Sequence, residues 1–355
     1  MRKEIMKYLA GRFIPATVSI AVIIIAVKFI GPSEYGIFSL IFSLLLVIIT
    51  LSYHWIQVSI QRFLGAVPKD TDLVMGRFFD LTALSAAIAT VIAVTVLFLY
   101  LDLSMVSAVA VALITFLTHF YLYHQAVFQA YRRSLRYAMI EGVDQLVILT
   151  ALLAGLFLFK IYTSSLLLTA MAVGLLGSLI FRIFLRIQGL HTIQVTRVYW
   201  DARFSGKVLE YGFGLTMWML LYQLLFAADR FIIYEYLGLR DAGAYSALKD
   251  LVFKGVTFSV LPVYISYQTR IADEWSARHG LATWAKVKEA ISFELLIFVL
   301  IFLAFMGLKT VVLSNFLGLP QLDDWTVYFP VLMAAFLWQI ALLLQRFLDL
   351  SVKSS

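Results

Sequence analysis

The chain has 355 residues, 62% of them hydrophobic and only 14% charged, with a mean hydropathy of +0.93. Soluble domains average roughly 45–50% apolar and about 25% charged, so a soluble enzyme with a large core is excluded. There is no cysteine, which excludes a disulfide framework, thiolate metal sites and cysteine nucleophiles, and the net charge of +7 reads as membrane-loop charge rather than a nucleic-acid footprint.

The apolar residues fall in runs of about 20, the length that crosses a hydrocarbon core as helix. Ten spans are predicted in chain order: residues 8–30, 35–58, 78–100, 105–129, 138–159, 163–185, 208–237, 242–267, 291–313 and 327–350. Continuous runs over 91–100 and 295–306 contradict the alternation of a β-barrel. The expected fold class is therefore all-α, a polytopic helical membrane protein. The basic start MRKEIMK leads directly into the first run. No small-x-small cleavage site precedes Gly31-Pro32, so this is read as an uncleaved first span.

Loop charge orients the spans. Cations collect at the N-terminus (Arg2, Lys3, Lys7) and in the second, fourth, sixth and eighth loops, for example Arg62, Lys69 and Arg77, or Arg132, Arg133 and Arg136. The opposite loops hold only Lys160 and Arg240. The alternation places the N-terminus, and after ten spans the C-terminus, on the cytoplasmic side of the plasma membrane.

One turn is written twice. GPSEYGIFSL begins at Gly31 and GLRDAGAYSAL at Gly238, an offset of 238 − 31 = 207. Gly31/Gly238, Glu34/Asp241, Gly36/Gly243, Phe38/Tyr245 and Ser39/Ser246 stay in step. The glycines permit a tight turn and close helix approach, and the acid sits near the start of the following helix, where its dipole favours negative charge. The copies follow spans one and seven. Six spans per repeat is an even number, which makes the repeats parallel, related by an axis along the membrane normal. The relatively polar stretch QVTRVYWDARFSGK marks the boundary. The expected organisation is an N-terminal six-helix bundle over residues 1–200 and a C-terminal bundle over 201–355. The second holds four spans, two short of a complete pair.

FIGPSEYGIFSL, and FAADRFIIYEYLGLRDAGAYSALKDL with its Asp-Arg pair and Gly-x-Tyr-Ser turn, carry a family resemblance. The chain resembles lipid-linked oligosaccharide flippases of the polysaccharide transporter family. These belong to the multidrug/oligosaccharidyl-lipid/polysaccharide exporter superfamily, whose members usually have twelve or fourteen spans. The resemblance implies two six-helix bundles around a central cavity that opens alternately to each membrane face. It implies as cargo a glycan on a polyprenyl phosphate or pyrophosphate, with membrane lipids and glycan-assembly enzymes as further partners and no nucleic acid.

Such a headgroup cannot cross about 30 Å of hydrocarbon unaided. A carrier needs cations for phosphate and polar groups for sugar, and ionisable residues inside spans mark such a pathway. Asp229 and Arg230, adjacent in span seven, are the first candidates: Arg230 to anchor phosphate or gate the cavity, Asp229 to tune it, or both to fix helix packing through separate partners. On span eight, Asp250 and Lys254 have the i, i+4 spacing of a same-helix pair, and Lys249 points elsewhere and could meet cargo. Arg12 and Lys28 in span one could face the cavity or snorkel to the two headgroup regions. Asp80, Glu141, Asp144 and Glu294 lie near span starts, where interfacial solvation competes with carrying a coupling proton. His54, His119 and His124 could take part in proton coupling or simply pack as polar groups.

HExxH, Walker, GxSxG and Rossmann patterns are absent, so no catalytic residue, cofactor or metal is expected. The energy source would be an ion gradient, the membrane potential or the cargo gradient. Competing readings are a cation-coupled small-molecule exporter, a polysaccharide polymerase or glycosyl ligase using Asp323 and Asp324 of the longest outer loop, and a non-transporting fragment or assembly partner.

Overall fold

The computed structural model describes residues 2–64, 71–101, 104–131, 133–184, 199–278, 281–319, 322 and 324–352. Ten α-helices account for nearly all of them. They are α1 (Arg2–Ile25), α2 (Pro32–Phe63), α3 (Thr71–Tyr100), α4 (Met105–Ala130), α5 (Ser134–Phe157), α6 (Ser164–Phe184), α7 (Ala202–Leu237), α8 (Leu239–Arg278), α9 (Leu281–Thr310) and α10 (Trp325–Val352). Nine are long and apolar enough to cross a membrane, and α8 is the exception, with Lys249, Asp250 and Lys254 in its first half. The all-α polytopic class is thus observed, one helix for each predicted span.

The helices outrun the predicted spans at polar ends. α7 begins at Ala202, where Asp201 caps it by accepting from the Arg203 and Phe204 amides at 2.9 and 3.2 Å. Asp201 also pairs with Arg77 of α3 at 2.8 Å. The Phe204 amide bond first, with the Arg77 charge adding to it, lowers its carboxyl below the usual aspartate range. Most of the proposed boundary stretch before Asp201 lies outside the described residues. Two π-helical segments, Ala26–Ile30 and Val311–Phe316, continue α1 and α9. No composition signal announces them.

Packing divides the chain into two compact units, residues 29–243 and residues 1–28 with 244–355. In the first unit α2 is central and contacts α3, α4, α6 and α7. Ile41, Leu45, Ile49, Tyr53, Ile56 and Ile60 recur every three or four residues along its buried stripe. α2 and α7 run antiparallel along their lengths. Gly212 of α7 is pressed onto Trp55 of α2, where an added Cβ would come 2.6 Å from the Trp55 Cα. The Ser59 hydroxyl donates to the Val208 carbonyl at 3.1 Å, and the Arg62 guanidinium lies 4.3 Å over the Tyr211 ring. Small residues give membrane helices this proximity.

In the second unit Phe13 of α1 meets Phe258 of α8 edge to face at 5.6 Å. Tyr267 and Ile271 of α8, Val287 and Ala290 of α9 and Leu343 of α10 form its core cluster. Phe298 of α9 stacks on Phe336 of α10 at 4.3 Å. The two matched levels, Ala290 with Leu343 and Phe298 with Phe336, set α9 and α10 antiparallel.

Candidate transport site

The repeated turns meet. Gly31 and Gly238 both have positive φ, +99° and +87°, a conformation that costs glycine nothing. Each starts a new helix five residues before a second glycine. A Cβ on Gly36 would meet the Leu239 carbonyl oxygen and come 3.1 Å from the Gly243 nitrogen. A Cβ on Gly243 would meet the Pro32 carbonyl oxygen and come 2.8 Å from the Gly36 nitrogen. The partners are equivalent, because 239 − 207 = 32 and 243 − 207 = 36. The α2 and α8 N-termini therefore pack backbone on backbone.

The acid of the first turn has a further role. The Glu34 carboxylate accepts the Ser164 amide at 2.6 Å and so caps α6, besides lying in the first turn of α2. The sequence placed it only at the start of its own helix. Asp241, its counterpart, is exposed in the first turn of α8.

One helical turn beyond Gly36 lies Ser39, whose hydroxyl donates to the Gly36 carbonyl at 2.9 Å. The Ser39 carbonyl accepts from Ser43 Oγ at 2.7 Å and from Arg230 Nη1 at 3.5 Å. Arg230 is 2% exposed, and its guanidinium stands 5.3 Å from the Phe226 ring, one turn back on α7. Neighbouring Asp229 is half-buried, and its carboxylate accepts the Arg230 backbone amide at 2.8 Å. Ser39 and Phe226 were not singled out by sequence; the first is visible there only as one of the matched positions.

Lys249 is 3% exposed on α8, its ammonium 5.9 Å from the Phe253 ring. Asp250 is half-buried and Lys254 exposed on the same continuous helix, so their i, i+4 spacing holds. Arg230 belongs to the unit of residues 29–243 and Lys249 to the other. Lys28 is exposed in the π-helical segment after α1, and its ammonium donates to the Asn315 carbonyl at 3.4 Å. The Arg12 side chain lies outside the described side chains.

Two of the described histidines, His119 and His124, make packing contacts in the first unit. His119 is fully buried between the Thr115 carbonyl at 2.7 Å and Ser52 Oγ at 3.0 Å. His124 meets the Arg182 guanidinium of α6. A cleft between α4 and α6 is lined by Val109, Leu113, Thr169 and Val173. Apolar walls of this kind suit acyl chains and offer a headgroup nothing. Among the described residues no group of three His, Asp or Glu could hold a metal.

No family model matches the chain, and no curated protein matches it. A solved structure does. It is the inward-facing conformation of a multidrug resistance MATE family transporter of the MOP superfamily. The likeness has a TM-score of 0.69 and covers 97% of this chain and 82% of that one, at 13% sequence identity.

The chain has a MATE-like fold. At that identity the likeness is one of helical arrangement, and it carries no residue correspondence. Within the MATE-like fold, the described structure adds the glycine contact and the buried arginine beneath it.

Proposed function

We propose that this chain is an alternating-access exporter whose cargo is an oligosaccharide on a polyprenyl phosphate or pyrophosphate, moved from the cytoplasmic to the outer leaflet. The observation that carries this reading is the burial of two cations, Arg230 and Lys249, at 2% and 3% exposure within an apolar helical fold. A charge kept away from both water and lipid is costly and by default marks a pathway. Phosphate is the cargo group such cations suit, and a guanidinium can grip it with two parallel hydrogen bonds. The resemblance of the two turns to polysaccharide flippases supports the same cargo.

The proposed cycle uses the glycine contact as a gate on the outer side. While Gly36 and Gly243 touch, Arg230 is held against the Ser39 carbonyl. Parting of the helices frees the guanidinium for the cargo phosphate. The chain carries out no bond-making step.

The similar transporter is a multidrug one, which favours a second reading as a small-molecule exporter. A flipping assay separates the two. The protein is reconstituted in proteoliposomes with a fluorescent short lipid-linked oligosaccharide, and leaflet exposure is read by quenching. Protein-dependent flipping that falls in Arg230→Ala and Lys249→Ala supports the glycan reading. Uptake of glycan-free lipophilic cations, with no flipping, overturns it in favour of the second.

A further inference from the structure

α9 is exposed over much of its surface. Leu295, Leu296, Val299, Leu300 and Leu303 are all exposed. Its buried residues, Thr283, Val287, Ala290, Glu294 and Phe298, form one stripe with helical spacing. Glu294 lies in that stripe, between Ala290 and Phe298, at 0% exposure. It is not solvated at the interface, one of the two readings the sequence left open.

Its surroundings are layered. On one side lies the level of Ala290 and Leu343, and on the other the stacked rings of Phe298 and Phe336. The antiparallel register puts Gln339 of α10 at the level of Glu294. Gln339 is 4% exposed and already committed, since its amide donates to the Thr257 hydroxyl of α8 at 2.8 Å. Both Glu294 carboxyl oxygens are enclosed, and among the described residues neither has a hydrogen-bond partner. The contrast with Glu289 is sharp. That carboxylate sits five residues back, takes Lys286 at 2.7 Å and the Tyr267 hydroxyl at 2.9 Å, and reaches solvent.

We propose that Glu294 is a proton-binding site, holding its carboxyl neutral in the described state and exchanging the proton when the α9 stripe opens to water. An ionised carboxylate without a donor in an apolar interior is too costly to persist, so the group takes the neutral form. The titratable groups described on the packed elements are Arg240, Asp241, Tyr245, Lys249, Asp250, Lys254, Tyr264 and Tyr267 on α8, Tyr328 on α10, and Lys286, Lys288, Glu289 and Lys309 on α9 itself. None of them is within hydrogen-bonding reach of the Glu294 oxygens. A metal cation would need several oxygen ligands, and the flanking layers are hydrocarbon. A single carboxyl suffices for a proton. As a proton site the proposal stands on this geometry alone; as the coupling site it rests on the exporter reading.

Two measurements on the full-length protein in proteoliposomes separate these claims. Infrared difference spectra, taken on stepping the pH upward from neutral, read the carbonyl stretch of a protonated carboxyl. Wild type and Glu289→Gln should lose a protonated-carboxyl band, and Glu294→Gln should lack it. Glu294→Asp, which keeps the acid, should retain a shifted band even if the Gln variant inserts poorly. An unaltered band in Glu294→Gln overturns the proton site, and so does a band abolished by sodium at fixed pH. In the second measurement a proton gradient should accelerate flipping by the wild type and leave Glu294→Gln unaffected. Equal acceleration of both overturns the coupling role. If no cargo is flipped by any variant, the exporter reading fails while the infrared result still decides the proton site.

Discussion

A Cβ on Gly36 would come 3.1 Å from the Gly243 nitrogen and one on Gly243 would come 2.8 Å from the Gly36 nitrogen, a reciprocal contact between equivalent residues of a repeated turn. The obstacle to any larger residue is backbone, the carbonyls of Leu239 and Pro32, which cannot rotate aside. Gly36→Ala or Gly243→Ala should each destabilise the described state by about 2 kcal/mol, the usual cost of overpacking. The double variant should cost much less than the sum, because the first methyl already parts the helices. A double-mutant cycle read by thermal unfolding, with Pro32→Cys/Leu239→Cys cross-linking as the geometric readout, checks this. Additive losses and undiminished cross-linking would contradict the contact.

Glu34 reaches across 130 positions of sequence to cap α6 at the Ser164 amide. Glu34→Ala should lower stability by about 1 kcal/mol, as for loss of a helix cap. Glu34→Gln keeps an acceptor oxygen and should lose less. Thermal midpoints in detergent give the ranking, and equal values for wild type and Glu34→Ala would contradict the cap.

Asp201 provides a pH dependence. Its carboxyl is lowered by the Phe204 amide and the Arg77 charge, so it binds its proton less readily folded than unfolded. Its contribution is therefore complete above the ordinary aspartate value of about 3.9 and is lost as the pH falls through the folded value. The thermal midpoint of the wild type should fall over that acid range. Asp201→Asn, which can still cap α7 but cannot ionise, should show a shallower fall. Parallel curves would assign the acid sensitivity elsewhere.

Arg230 tests charge against geometry. Arg230→Ala should insert, retain its helices and lose flipping. Arg230→Lys should restore the charge without restoring full activity, because an ammonium lacks the guanidinium fork. Full activity in Arg230→Lys would show that charge alone suffices.

The helices were legible in the sequence because lipid demands long apolar runs, and each predicted span has its helix. Their extents were less so. The Asp201 cap lies in a stretch whose polarity reads as loop, and the π-helical segments at Ala26–Ile30 and Val311–Phe316 are apolar like their neighbours. The repeat was legible through five matched positions, but a periodicity does not say that its two copies touch. Glu294 was placed near the start of its predicted span, yet the face of the helix, not the distance along it, decides burial. The approach of His124 to Arg182 joins helices 58 residues apart and leaves no local trace.

The glycine contact has the form of a homodimer interface folded into one polypeptide. In a dimer of identical halves each substitution would be made twice, on both sides of the axis. Joined in one chain, the copies are free to differ. The mirror position of Arg230 is 230 − 207 = 23, which is isoleucine, and that of Lys249 is 249 − 207 = 42, which is phenylalanine. Ser39 and its mirror Ser246 are both fully buried serines, and the Ser39 carbonyl lies against an arginine contributed from the second copy. A single chain thus lets a symmetric contact carry a one-sided charge, an arrangement that no assembly of identical subunits can encode.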